Sequence, residues 1–230
     1  MQSSIDSLRA NAIASIRKLQ AQTDDLRLAV VTFRDLAEEA DRPHFVVRPF
    51  TRDVASQFAF LNGLAADGGG DTPEDQLHAV SLGLGLWESE AAEGGVGDRV
   101  PSKIIVIVTD APAKDPDSMG NTADSIGARA AAVDPAHIYP IVVRDDAAAL
   151  ATAEGLARRT GGKVLHAASG DEVANVLGQA IGAAVVAHAG EVEPRRRRRA
   201  LAPGRPRRGH GRGRSGARRA GAARPPARGR

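Results

Sequence analysis

The sequence predicts an α/β fold, a doubly wound and mostly parallel sheet. Three observations predict it. Apolar β-branched runs alternate with helix-length amphipathic segments, the pattern of βαβ units with right-handed crossovers. The run Ile104-Ile105-Val106-Ile107-Val108 is continuous rather than alternating, as in a strand buried on both faces. It ends in Thr109-Asp110-Ala111-Pro112, which puts a carboxylate at the carboxyl end of a strand, where open α/β sheets bind ligands. A lone aspartate there also forms Asx turns, so its neighbours decide its meaning.

The elements follow in order. Ser3 and Asp6 resemble a capping box, and Ile5, Leu8, Ala12, Ile16 and Leu19 then recur with helical spacing. Residues 26–33 form the first strand and residues 44–50 a shorter one, alternating enough to be an edge. A helix over 53–64 puts Val54, Phe58 and Leu61 on one face. After the glycine loop, Thr72 is the expected N-cap and Pro73 the first helical residue. That helix carries Leu77, Val80, Leu84 and Trp87 on one face and ends before Gly94-Gly95. Gly83 and Gly85 inside it each cost roughly 1 kcal/mol against alanine. Beyond the central strand come a loop over 115–120, a helix over 122–132, a strand over 137–143 and a helix over 147–159 stopped by Gly161-Gly162. A short strand over 163–166 and an alanine-rich helix over 171–187 close the domain.

Charge divides the chain. Residues 191–230 hold 15 Arg, no Lys and two acids, a net of +13, whereas the whole chain is +3 and residues 1–190 carry −10. The two parts are a domain over 1–188 and an Arg/Gly/Pro-rich tail over 189–230. The tail has no Leu, Ile, Val or aromatic residue after Leu201, too little apolar surface to fold, and is expected to be disordered. No cysteine is present, which excludes disulfides and thiolate metal sites. No run reaches the roughly 18 apolar residues of a membrane span, and the first residues lack a signal-peptide pattern.

The loop Gly68-Gly69-Gly70-Asp71-Thr72-Pro73-Glu74 is the second candidate for chemistry. Its glycines free the backbone for close approach to a ligand. Loops leaving neighbouring strand ends converge, so the Thr72 hydroxyl and the Asp110 carboxylate can face one pocket. Oxygen ligands of this kind suit a hard cation such as Mg²⁺. A P-loop is ruled out because no Gly-Lys-Ser/Thr ending follows the glycines. The glycines are also contiguous, unlike a dinucleotide fingerprint. Asp71 either reaches the cation through water or simply favours the helix dipole. The six His have no metal-ligand spacing. No Ser-His-Asp order or carboxylate pair stands out, so the sequence carries no positive signal for catalysis.

Together, the wording of residues 68–74, the hydrophobic strand into Thr-Asp-Ala-Pro over 104–112, their spacing, and the strand ending Phe33-Arg34-Asp35 resemble the von Willebrand factor type A domain. The likeness is to the hemicentin-like and bacterial members of that family and covers about residues 1–188. It implies a Rossmann-like sheet and a metal-ion-dependent adhesion site. There Mg²⁺ or another divalent cation is held by three motifs, and a partner protein's acidic side chain completes the coordination. Thr72 matches the threonine of the second motif and Asp110 the aspartate of the third. The first motif, Asp-x-Ser/Thr-x-Ser, has no counterpart: Met1 falls just after its position. The resemblance therefore implies an incomplete cation site and a missing central strand between residues 26–33 and 104–109. The expectation is a native product that extends upstream; the alternative is a truncated remnant with a dead site.

The expected function is a non-enzymatic protein-binding module, with Thr72, Asp110 and, through water, Asp71 at the cation and Gly68, Gly69 and Gly70 in the ligand loop. One alternative is polyanion binding by the tail, to nucleic acid or an anionic surface, without stacking aromatics for sequence readout. A tail with no selected role, an Arg-rich translation of GC-rich DNA, competes with it. A third reading is a phosphotransfer or hydrolase domain with Asp110 as nucleophile. Family members are often secreted or periplasmic; the sequence itself assigns no compartment.

Overall fold

The computed structural model describes residues 6, 16–17, 20–21, 26–34, 44–65, 72–92, 102–133, 136–169, 172–173, 175–179 and 182. Its fold is mixed α/β. The strands are β1 (Leu28–Phe33), β2 (Phe45–Thr51), β3 (Lys103–Thr109), β4 (Ala136–Val143) and β5 (Leu165–Ala167). The helices are α1 (Val54–Asn62), α2 (Gln76–Ala92), α3 (Ala123–Ala132) and α4 (Ala147–Thr160). Residues 173 and 175–179 are also helical, within the helix expected over 171–187. Of the helix expected at the start, residues 6, 16 and 17 are described and helical, and Ile16 is buried with Val54 and Phe58.

Two sheets form among the described residues: an antiparallel pair β1-β2 and a parallel set in the order β3-β4-β5. The sequence placed the fully buried strand at 104–109. It is β4, every residue of which is buried, whereas most of β3 is half-buried. The reason is pairing. β4 lies between β3 and β5, while β3 has one strand neighbour among the described residues. Pro140, which cannot donate to a ladder, is tolerated in β4 because β5 begins opposite Ile141, one residue further on.

Alternation along β3 and β4 sorts the two faces. Ile105, Ile107, Ala136 and Ile138 pack under α2, α3 and α4, in one cluster with Leu77, Leu84, Trp87, Ile126 and Leu156. Val106, Val108, Ile141 and Val143 pack on the other side against Val173, Val176 and Leu177. α2 also packs on the antiparallel pair, through Phe50 stacked at 5.4 Å on Trp87 and an Arg27–Glu90 ion pair of 2.6 Å. Trp87 is a core residue, as its helical spacing predicts.

Helix ends follow local chemistry. Thr122 and Ser125 form a reciprocal capping box at α3, and Asp53 and Asp146 cap α1 and α4. α4 ends as the Gly-Gly pair predicts: Gly161 takes φ +69°, and Gly162 N donates to Ala157 O at 3.0 Å. The start of α2 differs from expectation. Thr72 and Pro73 stand outside the helix, which begins at Gln76. Residue 74 is held extended instead, in a parallel bridge to Ala113, with Glu74 N donating to Pro112 O and Lys114 N to Glu74 O, both at 2.9 Å. Two backbone hydrogen bonds to a neighbouring loop outweigh the local capping preference.

Candidate functional site

The bridge between residues 74 and 113 joins the two loops singled out in the sequence. Around it a dense network fixes the segment after β3. The Asp75 side chain is fully buried: Oδ1 accepts from Ser118 N at 2.7 Å, Oδ2 accepts from Ser118 Oγ at 2.9 Å, and Lys114 Nζ lies 3.6 Å away. Gln76 Nε2 donates to Ala111 O at 2.6 Å, and Ala113 N donates to Thr152 Oγ1 on α4 at 3.3 Å. Asp117, also buried, closes the next turn, accepting from Met119 N at 2.9 Å and from Asn121 N at 2.7 Å. Gly120 completes that turn at φ +82°. The turn holds up Met119, a large apolar side chain at 61% exposure.

Asp110 stands at the carboxyl end of β3, as predicted, with its side chain 22% exposed. Its Oδ2 faces Arg144 Nη1 at 3.8 Å. Arg144 follows β4 and was not singled out by sequence reasoning, since no glycine or asparagine marks its backbone state, φ +68°. That conformation is pinned on both sides. Arg144 N donates to Ala167 O at 2.8 Å, and His166 Nε2 donates to Arg144 O at 2.9 Å while lying 3.0 Å from Asp145 Oδ1. An arginine in the left-handed region carries a strain of roughly 1 kcal/mol, and an ion pair this long and exposed offsets little of it. Arg144→Gly is therefore expected to leave stability unchanged or raise it by up to about 1 kcal/mol, measured by urea unfolding. A clear loss would show that the Asp110 pair outweighs the strain.

Thr72 is exposed, while Gly68, Gly69, Gly70 and Asp71 lie outside the described residues, as does the tail over 189–230. Among the described residues no group of three or more His, Asp or Glu side chains could hold a metal ion. Mg²⁺ takes oxygens on several sides, whereas the neighbour of Asp110 is a guanidinium presenting N–H donors. The described residues do not fit a divalent cation. A cleft of about 240 Å³ opens nearby, between α4, the start of α2 and the loop after β3. Gln76, Ala113, Asp115, Thr152 and Leu156 are among its walls; Asp110 and Thr72 are not.

No protein-family model matches the chain, and no curated protein does. Among solved structures it is similar to the conserved hypothetical protein BatB from Bacteroides thetaiotaomicron, at a TM-score of 0.49 and 14% identity, covering 76% of this chain and 86% of that one. It is also similar to an aerotolerance-related membrane protein from Bacteroides fragilis NCTC 9343 carrying multiple mutations to serines. There the TM-score is 0.48 and the identity 13%, with 77% of this chain and 88% of that one covered. No helix among the described residues is long and apolar enough to cross a membrane.

Proposed function

We propose that the chain is a non-enzymatic protein-binding module of the von Willebrand factor type A kind, doubly wound, with an incomplete cation site. Its partner docks on the loops at the carboxyl ends of β3, β4 and β5. The carrying observation is the character of those loops. Backbone bonds of Arg144 link the ends of β4 and β5, Asp75 and the 74–113 bridge tie the loop after β3 to the segment before α2, and that loop displays Met119 on a turn closed by Asp117. Such a platform offers a preorganised apolar anchor with a polar rim, as protein interfaces do. The sequence motifs support the family, and the absence of a first motif in the sequence supports the incompleteness of its metal centre.

A photoreactive benzophenone amino acid at position 119 of the full chain, in its own cell, tests this. A discrete protein adduct is expected at 119 and not at Val47, the comparably apolar exposed residue on β2. Equal labelling at both positions, or none, sinks the docking edge. Incubation with acetyl phosphate and intact-mass analysis addresses the enzyme reading: no phosphate gain is expected, and a phosphorylated Asp110 would replace the binding module with a phosphotransfer domain. Calorimetric titration of Mg²⁺ alone is expected to show no tight saturable binding; a saturable isotherm would make the cation site whole.

The +13 charge over 191–230 favours a second reading, binding of nucleic acid or another polyanion by the tail. Affinity for an oligonucleotide should then fall steeply and linearly in log-log form as salt rises.

A further inference from the structure

The cleft of about 240 Å³ between α4, the start of α2 and the loop after β3 has walls of two kinds. Ile107 and Pro140 of the sheet, Leu77 of α2 and Leu156 of α4 line it with apolar surface, and α4 turns Ala151 and Gly155 to it, small enough to leave the space. The polar groups on the walls are only partly in use. Thr152 Oγ1 donates to Ala149 O and accepts from Ala113 N, and Arg159 is paired with Asp124. Gln76 is 5% exposed, yet one end of its amide is bonded and the other is not: Nε2 donates to Ala111 O, while Oε1 takes no donor from the described residues. Amide oxygens buried to that degree are as a rule hydrogen-bonded. Asp115 accepts from Ala123 N through Oδ2, which orients its carboxylate without neutralising it. Arg158 has no ion-pair partner among the described residues, Asp115 included, although both line the cleft.

We infer that the cleft is a binding site for a small apolar zwitterion of dipeptide size, with its ammonium at Asp115, its carboxylate at Arg158 and its peptide group at the Gln76 amide. The unused groups choose the ligand class. An anion by itself would meet the acceptors of Asp115 and Gln76, and a cation by itself would leave Arg158 unanswered. A molecule with both charges on an apolar body serves all three and fills the lining between them. Length agrees with this. The bond from Ala113 N to Thr152 Oγ1 sets the loop that carries Asp115 beside Thr152, and Arg158 follows on α4 after an axial rise of about 9 Å. An extended dipeptide spans about 7 Å, and the arginine side chain is long enough to close the difference. Volume sets the upper limit: sites for drug-sized ligands run to roughly 300–1,000 Å³, and this cleft is smaller. The guanidinium is suited to the carboxylate end because it can offer two parallel N–H donors. The inference does not rest on the protein-binding reading, since Met119 and Asp110 are not among the walls of the cleft.

Titration of the full chain with L-alanyl-L-leucine, followed by amide NMR, tests this. Saturable shifts are expected at residues 113–115, at 151–158 and at the Gln76 side-chain amide, with a Kd of ~1 mM or below, the affinity of a ligand of about 14 heavy atoms at modest efficiency. N-acetyl-alanyl-leucine, which lacks the ammonium, and alanyl-leucinamide, which lacks the carboxylate, should each bind about tenfold more weakly. Arg158→Gln should weaken the dipeptide by a similar factor and leave the amide form unchanged, because each change removes the same contact. Asp115→Asn, which keeps an oxygen for Ala123 N, should do the same against the acetylated form. Both side chains are exposed, so the fold is expected to persist, and the remaining amide spectrum checks it. Ala151→Leu, also at an exposed helical position, fills the cleft and should abolish the shifts. Absence of saturation overturns the inference. So does equal binding of the blocked forms, which would remove the zwitterion, or binding retained in Ala151→Leu, which would place the peptide elsewhere.

Discussion

Gly162→Ala is expected to destabilise the chain by about 3 kcal/mol, a fall in Tm of roughly 6–12 °C for a protein of this length. A Cβ built at Gly162 falls 1.8 Å from Ile138 O and 2.6 Å from Ile138 C. Both atoms are backbone of β4, the strand buried along its whole length, so neither can swing aside as a side-chain tip would. Either Gly162 retreats and gives up its hydrogen bond to Ala157 O, which closes α4, or β4 shifts against β3. Gly182→Ala provides the contrast. It is helical with nothing within 4 Å of a new Cβ, and alanine there is expected to be neutral or to add up to about 1 kcal/mol. Thermal unfolding of the two variants side by side checks the pair. Similar midpoints would mean that the approach of residue 162 to β4 is looser than described.

Asp75→Ala is expected to cost a comparable amount, about 3 kcal/mol, by a different route. The substitution leaves Ser118 N and Oγ without their acceptor and Lys114 without its carboxylate, in a place where the Asp75 side chain is fully buried. Asp75→Asn keeps the shape and one acceptor oxygen and should lose less. The damage should be local as well as global. The loop after β3 is fixed to α2 through Asp75, so cleavage by trypsin after Lys114 should quicken before any change in the global unfolding midpoint of the Asn variant. The benzophenone adduct at position 119 should weaken in parallel. A protected Lys114 in Asp75→Ala would show that the 74–113 bridge holds this loop by itself.

Much of the fold was legible because its signals are periodic. The strands at 26–33, 44–50 and 137–143, and the helices over 122–132 and 147–159, lie within a few residues of β1, β2, β4, α3 and α4. Two features were not. The run at 104–108 is β-branched throughout, against four of seven residues in 137–143, so composition pointed to β3 although β4 is the strand with two neighbours among the described residues. The start of α2 was misplaced because Thr72-Pro73 is a strong local helix opening, while the bridge that overrides it involves a segment some 40 residues away. At the site, Asp110 was visible from its place after a strand. Arg144 was not: its role comes from backbone bonds to Ala167 and His166, which leave no trace in residue type. Asp75 follows directly on the motif of residues 68–74 and was not singled out, because its burial against Ser118 is a product of tertiary packing.

The pairing of the strands also implies that the molecule does not open everywhere at once. β4 exchanges hydrogen bonds with neighbours on both sides and is covered on both faces, whereas β1 and β3 each pair along one edge among the described residues. The parallel unit with α3 and α4 is then the last to release its amide protons to solvent. The β1-β2 pair, joined to it through the packing of α2, can part from it at lower free energy while that unit remains folded. A chain held together in this way has a seam beneath one helix, and Phe50 on Trp87 is where the two halves keep hold of each other.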